Sequence, residues 1–353
     1  MTSKVALIEF DGDPTESLRK GLGIIGRIDD LNTAERSVVV KVGAFSHKAG
    51  NHTSVSVVNA IVNLFHKAPK ILLAESDNYQ GTGTERLQVW KELFTERIVP
   101  FNLSDDSDTR SVQLGDQEMD FSHVLFKPNV LVDTHILRSF ESGSVLKNLF
   151  GCIPTPKKAK HHKILPTLLA DIYEAIGGVD LAVLDGTYFW RGAGDAPVQM
   201  NILLVGRDAV AVETVGATLA GLTPHKMPVI QEFMKRGLGE GDPENIKVIG
   251  ASLEHLKEKC ASAATTQKKI LAQRRGPQTW GGHAYHVLEG LIHEGFFKQP
   301  NKRTIEDVVK AFEARDLSTK GKEDKIASSL ARRVKKGVLK KNKISNGWVY
   351  WTE

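Results

Sequence analysis

The sequence predicts an α/β fold, a mostly parallel sheet with helices on both faces, followed by a C-terminal α+β module of winged-helix type. Three observations predict it. Through residue 250, short apolar runs alternate with helical patterns of about 10–15 residues, the layout of strands joined by crossover helices. Some runs, such as SVVVKV at 37–42, are apolar or β-branched throughout, as strands buried on both faces are. The charge is also uneven: the net charge is +5, residues 276–353 carry +6 and the rest −1.

The elements follow in order. Residues 4–10 (KVALIEF) read as a strand, and TESLRKGLGII as a helix with Thr15 as its cap. After the strand at 37–42, TSVSVVNAIVNLF has helical spacing at Val55, Val58, Ile61, Val62 and Phe65, with Thr53 or Ser54 as N-cap. Residues 70–76 (KILLAES) form the next strand, then a Gly-rich turn and a helix through Leu93. RIVPFNL and HVLFKPNVLVD add two strands. LPTLLADIYEAI is helical, and VDLAVLDG and MNILLVG are strands. Asp208 caps the helix AVAVETVGATLAGL, PVIQEFMKRGLG is a further helix, and NIKVIG closes the sheet.

Residues 251–281 read as an outer helix and linker broken at Gly276-Pro277. From 282 to 353 the pattern changes to three helices and a hairpin turn at Asn346-Gly347. Thr304 caps the second of these helices, with Asp307 three positions on. The third helix carries Arg332, Arg333, Lys335 and Lys336, and Lys341 stands at the wing. These five are the expected contacts to DNA or RNA phosphates, with protein docking or a solvated face as the alternatives.

In parallel sheets ligands sit beyond the carboxyl ends of the strands. Four polar segments map there: 41–52, 77–84, 133–135 and 185–194. The richest stretch lies between residues 135 and 162, with His135, His161 and His162, Lys147 beside Asn148, and the pair Gly151-Cys152. Lysine with imidazoles holds an anion, or a metal when the histidines are neutral. The plain alternative is a basic surface loop with Lys157, Lys158, Lys160 and Lys163 solvated. The expected catalytic set is His52, His135 and Lys147. The expected ligand- or cofactor-binding set is Lys41, Glu75, Asp77, Lys147, Asn148, Asp185, Gly192 and Gly194, the two glycines permitting close backbone approach. The expected metal ligands are His135, His161 and His162. Neither the Rossmann glycine fingerprint nor a Walker A loop is present.

Composition narrows the class. Hydrophobic content of 41% and charged content of 25% are ordinary for a globular protein. No apolar run approaches the ~20 residues needed to span a bilayer, and the N-terminus has no signal-peptide layout. Two cysteines, Cys152 and Cys260, cannot build a disulfide framework, so a reducing, cytoplasmic setting is expected.

The motifs VVVKVGAF…NHTSVSVVNAIV, ILLAESDNYQGTGTER, VLVDTHILRSFESGSVLKNLFGCIP, LAVLDGTYFWRGAG, LLVGRDAVAVETVGATLAGL and KRGLGEGDPENIKVIG, in that order, resemble the domain-of-unknown-function family 362 over residues 1–250. The resemblance implies an α/β domain. Members often add a ferredoxin-like cluster domain; this chain lacks those cysteines, so no iron–sulfur cluster is expected. Two positions depart from the family pattern: Asp133 stands where a lysine precedes the Thr-His pair, and Asp195 where a proline follows the glycines. A distant similarity to lactate racemase-type enzymes rests on the order His52, His135, Lys147, His161 or His162. It implies a nickel cofactor derived from a nucleotide, with lysine as anchor and histidine as ligand. The functional expectation is therefore a site for a small anionic ligand, a divalent metal or such a cofactor, with or without enzymatic turnover. The alternatives are a ligand-sensing nucleic-acid-binding regulator and a scaffold whose site has decayed.

Overall fold

The computed structural model describes residues 2–46, 51–115, 117–190, 197–274, 280–315, 317–345 and 347–352. The chain divides into two compact units, Met1–Lys269 and Ile270–Glu353. Among the described residues no helix is long and apolar enough to cross a membrane.

The first unit opens with β1 (Ser3–Glu9), α1 (Thr15–Ile25), β2 (Val38–Lys41), the short hairpin strands β3 (Ala44–Ser46) and β4 (Asn51–His52), and α2 (Val55–Leu64). It continues with β5 (Ile71–Glu75), α3 (Gly83–Leu87), β6 (Ile98–Asn102), the hairpin β7 (Thr109–Leu114) and β8 (Gln117–Ser122), and β9 (Val130–Arg138). Then come α4 (Val145–Asn148), α5 (Leu165–Ala175), β10 (Leu181–Trp190), β11 (Val198–Gly206), α6 (Ala209–Leu219), α7 (Pro228–Lys235), β12 (Ile246–Gly250) and α8 (Leu253–Arg274).

Eight strands form one sheet in the order β12-β1-β11-β10-β9-β2-β5-β6. From β10 to β6 every pairing is parallel, whereas β11 runs antiparallel to both of its neighbours. The reversal has a simple cause. Only seven residues separate β10 from β11, too few for the crossover that a parallel neighbour needs.

The sheet is buried on both faces with a strict period of two. Val39, Leu72, Ala74, Leu131, Ala182 and Leu184 enter one apolar cluster with α4 to α7. Val38, Val40, Ile71, Leu73, Val130, Val132, Leu181 and Val183 enter the other with α2 and part of α1. This explains the continuous apolar runs in the sequence.

Three details differ from the sequence reading. The hairpin β7–β8 was not expected, because its residues are mostly exposed and polar. Residues 123–125 form a single 3₁₀ turn, so β9 begins only at Val130. Helix α1 has Pro14 as N-cap, and Thr15 is its first residue, its amide donating to Asp13 Oδ1 at 2.9 Å.

The second unit contains α9 (Trp280–His293), β13 (Arg303–Thr304), α10 (Ile305–Glu313), α11 (Glu323–Lys335), β14 (Lys340–Ile344) and β15 (Gly347–Trp351). Its strands form an antiparallel sheet in the order β13-β15-β14. Leu288, Leu291, Phe297, Val308, Phe312, Ile326, Leu330 and Tyr350 make its core. Thr304 and Asp307 form a reciprocal capping box on α10.

Asp208 does more than cap α6. Its carboxylate accepts the amides of Val210, Ala211 and Glu240 at 2.8–3.0 Å and the hydroxyl of Ser3 at 2.6 Å, tying α6 to both β1 and the 237–242 turn. Replacing it by alanine should cost about 2 kcal/mol, the upper end for a lost cap. Urea unfolding of the full chain measures this, and an unchanged midpoint would show that the bonds carry no net stability.

Candidate functional site

The polar residues gather where β10, β9, β2 and β5 end side by side. The register sets Lys41 opposite Asp133 on one side and Ala74 on the other, so Glu75 follows one residue beyond. Lys41 and Glu75 are both fully enclosed, with Lys41 Nζ 3.1 Å from Glu75 Oε1. The Arg86 guanidinium lies 2.9 Å from the same oxygen and also donates to the carbonyls of Ala44 and Ser76. Burial by itself would raise the Glu75 carboxyl, but Lys41, Arg86 and Lys158 outweigh it and hold the group below the ordinary carboxylate value.

Asn148 joins this network to β9. Its Oδ1 accepts from Lys41 Nζ at 3.2 Å, and its Nδ2 donates to Asp133 Oδ1 at 2.6 Å and to the carbonyls of Lys41 and Thr134 at 3.1 and 3.2 Å. The other Asp133 oxygen is buried without a partner among the described residues. Burial pushes this carboxyl up to about 7, more than the Asn148 bond can counter. Close packing demands glycine twice here: a Cβ at Gly151 would stand 2.6 Å from Lys41 Nζ, and one at Gly43 2.7 Å from the His135 ring.

Above this floor lies a cavity of about 330 Å³. Arg86, Arg138, Lys147 and Lys158 line it, together with Glu75, His135, His162 and the rings of Phe45, Tyr79, Phe140 and Phe150. Lys147 Nζ sits 3.6 Å from the Phe150 ring centroid and, among the described residues, has no oxygen partner. Burial, then the charges of Arg138 and Lys158, lower it to about 7. Burial likewise lowers Lys158 to about 8, with Glu75 opposing, and Arg138 to about 10, with Glu213 opposing. Arg138 spends Nε and Nη2 on the Gly143 carbonyl at 3.2 and 2.9 Å. Lys158 donates to the Ser76 hydroxyl, which itself donates to the Gly151 carbonyl at 2.5 Å.

His135 has a defined tautomer. The Ile136 amide donates to its Nδ1 at 2.7 Å, so the ring proton resides on Nε2. Burial and the nearby Arg138 and Lys41 charges lower its pKa well below the ordinary value, which keeps the ring neutral. It therefore offers the cavity a proton donor rather than a lone pair.

The structure brings together some of the expected residues and separates others. His135, Lys147, Asn148 and Glu75 border one cavity, and Lys41 lies beneath it. His52 lies instead in a second cavity of about 220 Å³ with Ser54, Tyr188 and Trp190, its Nδ1 donating to the Thr53 carbonyl at 3.0 Å. Asp77 is taken up by the Gly83 amide at 2.8 Å and Asn102 at 3.0 Å. Asp185 holds the start of α2, accepting the Ser54 amide at 2.7 Å, and binds the Thr187 amide and hydroxyl at 2.8 and 2.6 Å. Gly192 and Gly194 lie outside the described residues.

The expected metal set of His135, His161 and His162 does not assemble. Among the described residues no group of three or more His, Cys, Asp or Glu is placed to hold a metal. His135 has its Nδ1 occupied, His161 is buried outside the cavity lining, and the exposed His162 ring packs 5.0 Å from that of Phe150. Of the expected nucleic-acid contacts, Arg332, Lys335, Lys336 and Lys341 are exposed, but Arg333 is not. Arg333 is buried against Glu289 at 2.7 Å and the Tyr285 ring, so it serves the core of the second unit.

Arg86, Arg138 and Lys158 were missed as site residues. A signal existed for Arg138, a charge closing the otherwise apolar end of a strand that is buried at every position. Lys158 had none, since it sits in a lysine-rich loop that reads as solvated yet is 5% exposed. Glu213 is buried and accepts the amides of Ser144 and Leu146 at 2.8–2.9 Å.

A protein-family model described as a domain of unknown function, DUF362, matches residues 38–218, just over half of the chain and every charged residue of the cavity. No curated protein matches the chain.

Two stability effects follow. Lys41→Met leaves Glu75 short of one counter-charge in a buried network and should cost about 3–5 kcal/mol in urea unfolding at neutral pH. Asp133 has a folded pKa near 7 against an ordinary 3.8, so its contribution is complete below the lower value and is lost as pH rises through the upper one. Asp133→Asn should flatten the decline in stability between about pH 4 and pH 7. An identical slope in the variant would clear Asp133 of any part in it.

Proposed function

This chain belongs to the DUF362 family, and we propose that it binds a small anionic organic ligand in the cavity at the carboxyl edge of its parallel strands. One observation carries the reading. Arg138, Lys147 and Lys158 face a cavity whose one bordering carboxylate among the described residues, Glu75, is already engaged by Lys41 and Arg86. These cations outnumber the carboxylates that act on them, Glu75 and the buried Glu213, and a bound carboxylate or phosphate relieves their mutual repulsion where water screens it least. The rings of Phe45, Phe140 and Phe150 suit an apolar portion of the same ligand. With an amine near neutrality in Lys147 and an N–H donor in His135, the cavity also has groups suited to proton transfer, which supports an enzymatic role.

The divalent-metal and nickel-cofactor expectations do not enter this proposal. A site with excess positive charge repels a cation, His135 presents a proton where a metal needs a lone pair, and His52 belongs to another cavity. A cytoplasmic setting fits two free, buried cysteines, Cys152 and Cys260.

A second reading concerns the C-terminal unit. Its order of three helices and a β-hairpin, with α11 followed by the strand β14, supports a winged-helix module from about residue 282, joined through a helical linker to the ligand domain. The exposed side chains of Arg332, Lys335, Lys336, Lys341 and Lys343 favour phosphate contacts, which would make the protein a ligand-sensing nucleic-acid binder.

Thermal-shift titration with inorganic phosphate and with small carboxylates, at constant ionic strength, tests the first reading. Stabilisation is expected in wild type, and Lys147→Ala should weaken binding by about 1.5–3 kcal/mol, the range for a hydrogen bond to a charged group. Affinity should fall as pH rises through about 7 to 8, where Lys147 and then Lys158 lose their protons. No shift with any anion would leave the decayed-site scaffold. For the second reading, duplex DNA or RNA affinity should drop with salt, and Lys335→Ala should reduce the log–log slope by about 1. A salt-independent signal would remove the phosphate contacts.

A further inference from the structure

We propose that Lys147 is a nucleophilic amine that forms a Schiff base with an oxo acid, a ligand bearing both a carbonyl and a carboxylate. The inference rests on the anion-site reading above and narrows its ligand class. It begins with the placement of the amine. Lysines ordinarily meet carboxylates or water, but Lys147 Nζ lies on the Phe150 ring, half-buried, with Arg138 and Lys158 in the same wall and no oxygen partner among the described residues. Burial and then the cationic neighbours Arg138 and Lys158 favour the free amine, the form with a lone pair to donate, and outweigh the ring face of Phe150, which favours the ammonium.

The other walls suit the rest of such a ligand. Arg138 has committed Nε and Nη2 to the Gly143 carbonyl, which orients the guanidinium and leaves Nη1 for a carboxylate. His135, with its proton on Nε2, can donate to the carbonyl oxygen. The step balances without a further reagent. The Lys147 nitrogen lone pair forms the C–N bond as the C=O π pair moves to oxygen. A proton passes from nitrogen to that oxygen, giving a carbinolamine. The nitrogen lone pair then expels the hydroxyl, which leaves as water with a second proton from nitrogen. Amine and carbonyl thus become imine and water.

Trapping tests this. The full-length protein is incubated with pyruvate or levulinate, which differ in the spacing of carbonyl and carboxylate, and treated with sodium cyanoborohydride. Intact mass and peptide mapping follow, with propionate, which lacks the carbonyl, as the control. The expected result is one reduced adduct per chain, mapped to Lys147, with either probe, absent with propionate and absent in Lys147→Arg. Lys147→Arg keeps the cation, and thermal unfolding shows whether it folds; should it not, mapping on the wild type decides. An adduct on other lysines, or one that survives in Lys147→Arg, overturns the proposal. No adduct while pyruvate and propionate still stabilise the protein overturns it too and leaves the anion site standing. No adduct and no stabilisation by any anion removes both.

Discussion

The first unit is organised around a buried carboxylate held by two cations. Glu75 at the end of β5 receives Lys41 from β2 and Arg86 from α3, all three withdrawn from water. Such charges are tolerated only when each is paired and hydrogen-bonded, because desolvation otherwise costs several kcal/mol per ion. The network meets that condition through the carbonyls of Ala44, Ser76 and Val42 and through Asn148. Its members come from three adjacent elements, so it fixes the spacing of strand ends that hydrophobic packing alone would leave free to slide.

The cavity inherits its charge from this arrangement. Glu75 is already engaged by Lys41 and Arg86, so among the described residues the cations of the wall above it outnumber the carboxylates that act on them. Protein interiors do not accumulate like charges for stability, and the pKa values of Lys147 and Lys158 are depressed by burial first and by neighbouring cations after it. This arrangement is the ground for the anion-binding role proposed above. The aromatic lining has the complementary effect: it excludes water and so strengthens whatever electrostatic contact the ligand makes.

The second unit is built on another logic. Its core is small and apolar, its helix α10 starts with a reciprocal cap, and its charge lies mostly at the surface. Arg333 is the exception, drawn inward by Glu289 and the Tyr285 ring while Arg332 beside it stays outside. Adjacent basic residues on a helix point about 100° apart, so a basic run in a sequence cannot say which of its members faces water.

Local pattern determined most of the architecture. The apolar runs at 37–42 and 70–76, the helix between them, the caps at Asp208 and Thr304 and the sharp change of character after residue 250 all depend on neighbours within a few positions, and such signals survive in a linear reading. The convergence of His135, Lys147, Glu75 and Asn148 was also legible, because chemistry-bearing residues at strand ends of a parallel sheet meet at one edge. What the sequence could not decide was which of those side chains share a cavity. Asp77 and Asp185 satisfy backbone amides instead, His52 turns into a different pocket, and Lys158 leaves its solvated-looking loop to reach Ser76. Those outcomes depend on strand order, on the reversed β11 and on which face each loop returns to. They are set by contacts between residues more than a hundred positions apart, as between Lys41 and Asn148 or Ser54 and Asp185, and only the folded chain brings such partners within reach.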